Sequence, residues 1–208
     1  MARLRYATPQ QFTEFVRRSG LPEDTQATNA FSIFAHAPAV GAPVLRLVLA
    51  LLTETELDPK LRELVILRVS QRCDGRYAWI QHVAIARSTG VSDAQIAALE
   101  RGNVPANLFS NRERAAFALA DDVSDTARCG NATFAAARDR FSHREMVELL
   151  SLVGYFRMIC GLMTALDTES RNSRIRELTS SICSWSFSSL GANFTREARG
   201  IAAARASA

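Results

Sequence analysis

LDPKLRELVILRVSQRCDGRYAWIQHVAIARSTGVSDAQIAAL, residues 57–99, decides the fold. Asp58-Pro59 is a cap followed by a proline at the first helical position, and it opens a run that stays apolar to Val69. At about 100° per residue, Leu61, Leu64 and Val65 share one face, while Ile66 and Leu67 flank Glu63 on another. A helix apolar nearly all round is buried on more than one side. A second helix follows, in which Ala78, Trp79, His82, Val83, Ile85 and Ala86 form a broad apolar stripe. An acid inside the first helix and an imidazole on the stripe of the second, nineteen positions on, are the chemically unusual residues of this run. Burial would raise the pKa of such a carboxyl, and a neighbouring cation would lower it.

The same grammar recurs outward from this run. Thr8-Pro9-Gln10-Gln11, Ser92-x-x-Gln95, Ser110-x-x-Glu113 and Ser142-x-x-Glu145 are capping-box patterns. Gly20, Gly90 and Gly102 stand where helices can stop. No long apolar–polar alternation and no Asn-Gly hairpin turn occurs. The chain therefore reads as all-α, with helices over 9–19, 39–53, 58–73, 76–89, 92–100, 111–127, 131–139 and 143–168. The apolar stretch 29–37 reads as a short helix or turn. Short connections make neighbours pack as antiparallel or angled pairs. The Arg-Glu pairs at 62–63, 112–113 and 144–145 open helices alike, but their unequal spacing fits shared capping as well as duplication. Residues 1–169 form the expected helical domain. After Glu169 the chain turns rich in serine, arginine and alanine, and 170–208 reads as a tail, partly helical (about 171–183 and 195–205) or mobile.

At 208 residues one domain is the default. Its 48% hydrophobic and 22% charged residues are those of an ordinary globular protein. The net charge of +4 is spread without a basic stripe or aromatic-interleaved patch, so no nucleic-acid partner is expected. No run of 18 apolar residues occurs and the N-terminus has no apolar signal core, so a membrane span and a leader are not expected either. Cys73, Cys129, Cys160 and Cys183 form no C-x-x-C pair, and no histidine stands at zinc-ligand spacing from them. Free thiols in the cytoplasm, with no metal and no bound cofactor, are the expectation.

Each candidate has a structural reading beside the chemical one. Glu63 is either a structural carboxylate paired with Arg62, Arg68 or another arginine, or a proton-exchanging group. His82 is either a satisfied core imidazole or the partner of Glu63 in an acid–base couple. His36, His143 and Tyr155 are weaker: a residue that lines a pocket from outside, a first-turn histidine facing solvent and a core tyrosine.

At these residues the chain resembles the carboxymuconolactone decarboxylase family, which includes the alkyl hydroperoxidase D proteins. The matching stretches are Arg62-Glu63-Leu64-Val65-Ile66-Leu67, then Tyr77-x-Trp79-x-x-His82-x-x-x-Ala86-Arg87-x-x-Gly90. Val91-Ser92-Asp93-x-x-Ile96, Gly154-Tyr155-Phe156 and an upstream Asn29-x-Phe31-x-x-Phe34-Ala35-His36-x-Pro38 extend it over about residues 27–168. The resemblance implies an alkyl hydroperoxidase D-like helical fold that assembles into homotrimers or homohexamers with sites near subunit contacts. In the peroxidase branch two cysteines stand seven and four residues before the motif histidine, and here those positions are Gly75 and Ala78. A disulfide-cycling peroxidase needs both an attacking and a resolving thiol.

The decarboxylase branch implied by the resemblance works without thiols. Loss of CO2 from a lactone acid leaves a dienolate that must be reprotonated. On that model Glu63 and His82 are the catalytic pair, and Arg68, Arg76, Tyr77 and Trp79 bind the substrate, with Arg68 or Arg76 as the carboxylate clamp. The function expected is a cofactor-free lyase or isomerase acting on a small cyclic carboxylate or lactone. The alternatives are a thiol-dependent peroxidase-type oxidoreductase using Cys73 and a non-enzymatic oligomeric protein.

Overall fold

A computed structural model describes residues 2–169. It contains α1 (Pro9–Ser19), α2 (Asn29–Phe34), α3 (Pro38–Thr53), α4 (Pro59–Arg72), α5 (Arg76–Ser88), α6 (Asp93–Glu100), α7 (Asn111–Thr126), α8 (Asn131–Arg138) and α9 (His143–Ala165). No strand occurs among the described residues, and the all-α reading holds. The ambiguous stretch 29–37 resolves into α2, capped by the Thr28 hydroxyl. The last helix ends at Ala165, three residues short of the expected limit. The helices expected near 171–183 and 195–205 lie outside the described residues.

The caps act as their sequence suggests. Asp58 accepts from the Leu61 amide at 2.9 Å, and Thr8, Ser92, Ser110 and Ser142 each close a reciprocal capping box. Gly20 ends α1 with φ of 62°, in the left-handed region that L side chains avoid.

The fold is organised around α4, which packs against α5, α6, α7 and α9. That is why α4 lacks a polar face: Leu61, Leu64, Val65, Ile66, Leu67 and Val69 are all buried. The opposing walls are Ala116, Phe117, Leu119 and Ala120 of α7 and Leu149, Leu152, Val153 and Phe156 of α9. By length and composition α9 could cross a membrane, but half of its apolar window is buried within this chain. An arm before α1 reaches the end of α9: Arg3 N–H donates to Leu166 at 2.8 Å, and the Tyr6 hydroxyl accepts from the Glu169 amide at 3.2 Å.

One charged side chain on α4 locks this packing. Buried Arg68 forms a two-pronged pair with Asp121 of α7, both contacts 2.7 Å, and donates to the Gly102 carbonyl at 3.0 Å. Such forked pairs are among the stronger hydrogen bonds in proteins. Arg68→Ala is expected to lose about 2–3 kcal/mol in urea unfolding. Arg68→Lys keeps the charge but loses the fork, and should recover less than half of that.

Candidate active site

Glu63 and His82 come from the two helices with which the sequence reading began. Glu63 projects from α4 toward α5 and is 1% exposed; His82 projects from α5 and is 9% exposed. His82 Nδ1 lies 2.8 Å from Glu63 Oε2. With Glu63 ionised, Nδ1–H donates, which fixes the tautomer and leaves Nε2 as the acceptor of a neutral ring. The third wall is α9. Phe156 meets the imidazole edge to face, centroids 4.9 Å apart at 89°, and Tyr155 packs on Phe156 at 5.3 Å. Burial pushes the Tyr155 phenol well above its ordinary range.

The second carboxylate oxygen is different. Glu63 Oε1 is buried and makes no hydrogen bond among the described residues, and the same holds for Arg62 Nε. The two atoms stand 3.8 Å apart, close enough to attract but too far for a hydrogen bond. The Arg62 side chain is 12% exposed. Burial pulls its pKa down, opposed by the charges of Glu63 and Asp58.

The other expected site residues take several places. Arg68 lies about 140° around α4 from Glu63, with its guanidinium on Asp121 and Gly102. Arg76 is exposed at the first position of α5. Trp79 is half-buried, one turn before His82 on the same helix. Tyr77 is buried, and its hydroxyl accepts from the Ala30 amide at 3.1 Å, so it ties α5 to the start of α2. His36 is exposed and its Nε2 lies 2.7 Å from the Arg5 carbonyl oxygen. It lines a cleft of about 810 Å³ with Gln11, Glu14 and Arg18, away from Glu63 and His82.

Two features escaped the sequence reading. One is Arg62 itself, which could be read there only as a structural partner for Glu63. The other is the contact between Gly75 and Cys160. A Cβ at position 75 would overlap the Cys160 Sγ and stand 2.8 Å from its Cβ. The thiol of α9 thus fills the space of a side chain at the first position of α5's motif. Burial pushes the Cys160 thiol up to about 12 and also raises Cys73, where Arg157 opposes it. Cys73, Cys129 and Cys160 are free.

The family model described as "Carboxymuconolactone decarboxylase family" matches residues 38–122, the span that contains both Glu63 and His82. Across this span the chain is similar to that family, and its helical fold is that of alkyl hydroperoxidase D-like proteins. No curated protein matches significantly. An uncharacterized peroxidase-related protein from Silicibacter sp. TM1040 has a similar fold, with a TM-score of 0.66 at 19% identity, covering 84% of this chain and 93% of its own. An alkylhydroperoxidase AhpD core protein from Ralstonia eutropha JMP134 is similar with a TM-score of 0.65 at 17% identity, over 84% and 94% of the two chains. The debrominase Bmp8, in complex with 2,3,4-tribromopyrrole, gives a TM-score of 0.62 at 16% identity, over 84% and 90%.

Proposed function

We propose that this protein is a cofactor-free lyase or isomerase that moves protons on a small cyclic carboxylate or lactone. The observation that carries the reading is the buried, direct Glu63–His82 hydrogen bond. In the proposed reaction the bond from ring carbon to carboxylate breaks and CO2 leaves. Its electron pair enters the conjugated lactone as a dienolate, and the acid–base couple returns a proton to carbon. A carboxyl and an imidazole in contact can hold that proton between them and exchange it with a ligand. Trp79 remains in the proposed substrate site, on the stripe of α5 that leads to His82, and Arg76 stays in it from the exposed first turn of the same helix. Tyr77 supports it through α2. Arg68 is left out, because its guanidinium is committed to Asp121 and Gly102.

The thiol-dependent alternative is weaker here. Position 75 has no room for a cysteine while Cys160 stands against it, and Ala78 offers no second sulfur. Free thiols fit a cytoplasmic protein. We also propose a homotrimer or homohexamer; the exposed apolar side chains Val40 and Leu47 of α3 and Val147 and Met158 of α9 support self-association.

The test is a decarboxylation and isomerisation screen on carboxylated lactones with wild type and Glu63→Gln. Turnover of at least one substrate is expected, reduced about 100-fold or more by the amide. A wild type inert across the panel, or a Glu63→Gln protein of equal rate, rejects the reading.

A further inference from the structure

Two arginines of α4 meet their acids in opposite ways. Arg68 closes on Asp121 with two contacts of 2.7 Å, a forked lock between helices. Arg62 turns its charge to Glu63 without such a bond. Its Nε stands 3.8 Å from Glu63 Oε1, and both atoms are buried with no hydrogen-bond partner among the described residues. As a lock this pair is poor, because two desolvated groups go unbonded. As a source of field it is hardly weakened. A hydrogen bond is lost beyond about 3.5 Å, whereas the attraction between charges falls only with the inverse of distance and is screened least in the interior. An unsatisfied buried pair of this kind calls for an explanation other than stability.

The field acts on the Glu63–His82 couple. Glu63 makes ion-pair contacts with Arg62 on one oxygen and with His82 Nδ1, at 2.8 Å, on the other. Asp58, the exposed N-cap one turn back on α4, adds its negative charge beside Arg62. From α9 the couple meets the Phe156 ring, and Tyr155 stands behind it with its phenol held protonated by burial. With one proton in the couple, an anionic carboxylate and a neutral ring carry a net charge of −1, which the guanidinium offsets. A second proton makes the couple neutral and leaves the guanidinium uncompensated. A buried cation at this place therefore favours the singly protonated state over the doubly protonated one. In that state the proton lies on Nδ1, toward the anion, and the next one enters and leaves at Nε2.

Building on the proton exchange proposed for Glu63 and His82, we infer that Arg62 is a positioning residue of the couple: its buried charge, 3.8 Å from Glu63 Oε1, keeps the carboxylate an anion, so that Nδ1–H of His82 stays turned to Glu63 and Nε2 is the atom that passes the proton to substrate. Arg62 meets no reacting atom in this scheme. It makes the doubly protonated couple a readier donor. Once CO2 has left, the Nε2–H bond breaks, its electron pair stays on Nε2, and the proton goes to the dienolate carbon. The ring returns to the neutral Nδ1–H form, and solvent water supplies the next proton to Nε2.

The experiment is a pH titration of the imidazole nitrogens by NMR, on the full-length, isotope-labelled protein without substrate. The chain has three histidines, and the His82 signals are those missing from His82→Asn. In wild type the neutral His82 ring is expected with hydrogen on Nδ1 and none on Nε2. In Arg62→Met the pH at which the ring gains its second proton should rise by about one unit or more, the usual effect of losing an opposite charge at contact distance. Arg62→Lys, which keeps a charge, should lie between the two. A merely structural arginine would lower the urea midpoint of both variants and leave the titration unmoved. A wild-type neutral ring with hydrogen on Nε2, or a folded Arg62→Met that titrates with wild type, overturns the inference. Should Arg62→Met not fold, Arg62→Gln against Arg62→Lys repeats the comparison of a neutral with a charged side chain, and equal midpoints overturn it likewise. On any lactone that proves to be a substrate, Arg62→Met should lower kcat about threefold to tenfold and leave KM within about twofold, because the guanidinium does not meet the substrate. The titration needs no substrate, so the two readings fail separately. A raised midpoint with no lactone turned over rejects the lyase reading and keeps the hold of Arg62 on the couple. Turnover lost in Glu63→Gln with an unmoved Arg62→Met midpoint rejects the role of Arg62 alone.

Discussion

His82→Ala is expected to lower the unfolding free energy by about 3–5 kcal/mol, the cost of leaving a buried charge without its partner. Glu63 is 1% exposed, and its Oε2 bonds to His82 at 2.8 Å. Its other oxygen already lacks a hydrogen bond among the described residues, and Arg62 stands 3.8 Å off without making one. Removing the imidazole thus strands the whole carboxylate and also takes away the ring that Phe156 meets edge-on. The double replacement Glu63→Leu with His82→Phe should recover much of the loss, because neither the buried carboxylate nor its orphaned acceptor then remains, although Arg62 stays. Urea unfolding at constant m-value reads both effects. A loss below about 1 kcal/mol for His82→Ala would mean that water reaches the carboxylate freely, contrary to its burial. Catalysis separates from stability in this series: the apolar double variant should fold and yet turn over nothing.

The Glu63–His82 contact was legible because both residues interrupt apolar stripes whose burial the sequence announces. A helix apolar on all sides must sit at the centre of the fold, and α4 does. The helix starts were legible for a similar reason, since a cap is a local device written within four residues. What sequence spacing could not carry was pairing across long separations. Arg68 looked as free as Arg76 to hold a substrate carboxylate, yet its partner Asp121 lies fifty-three positions on, on another helix. Arg62 had the opposite problem. Its neighbour Glu63 was the obvious structural partner, and only the 3.8 Å gap between them reveals that the bond is not made. The Gly75–Cys160 contact joins α5 to α9, and nothing in either residue's surroundings along the chain signals it.

That contact supports the second large expected effect. Gly75→Ala should destabilise the protein by about 3 kcal/mol, the upper range for overpacking a filled interior. Backbone strain is not the cause, because φ at Gly75 is −82°, which alanine adopts freely. On chain entropy alone the substitution would stabilise the protein by about 0.4–1 kcal/mol. The penalty is purely steric: the new Cβ meets the Cys160 Sγ head-on and lies 2.8 Å from the Cys160 Cβ. Neither side can yield easily, for Cys160 is fully buried in α9 and Gly75 is the buried N-cap of α5. The distances predict a graded rescue. Cys160→Ala removes the sulfur but leaves the second contact, so it should restore only part of the stability of Gly75→Ala, whereas Cys160→Gly removes both. Alone, Cys160→Gly should destabilise by leaving a void and placing glycine mid-helix. The double-mutant cycle should therefore return a favourable coupling of about 1–3 kcal/mol between two residues eighty-five positions apart. Additive losses would place the Cys160 thiol elsewhere. The same cycle bears on chemistry: a cysteine installed at position 75 should fold well only when Cys160 is reduced to glycine, so the first thiol of the peroxidase branch and the thiol of α9 are mutually exclusive occupants of one space.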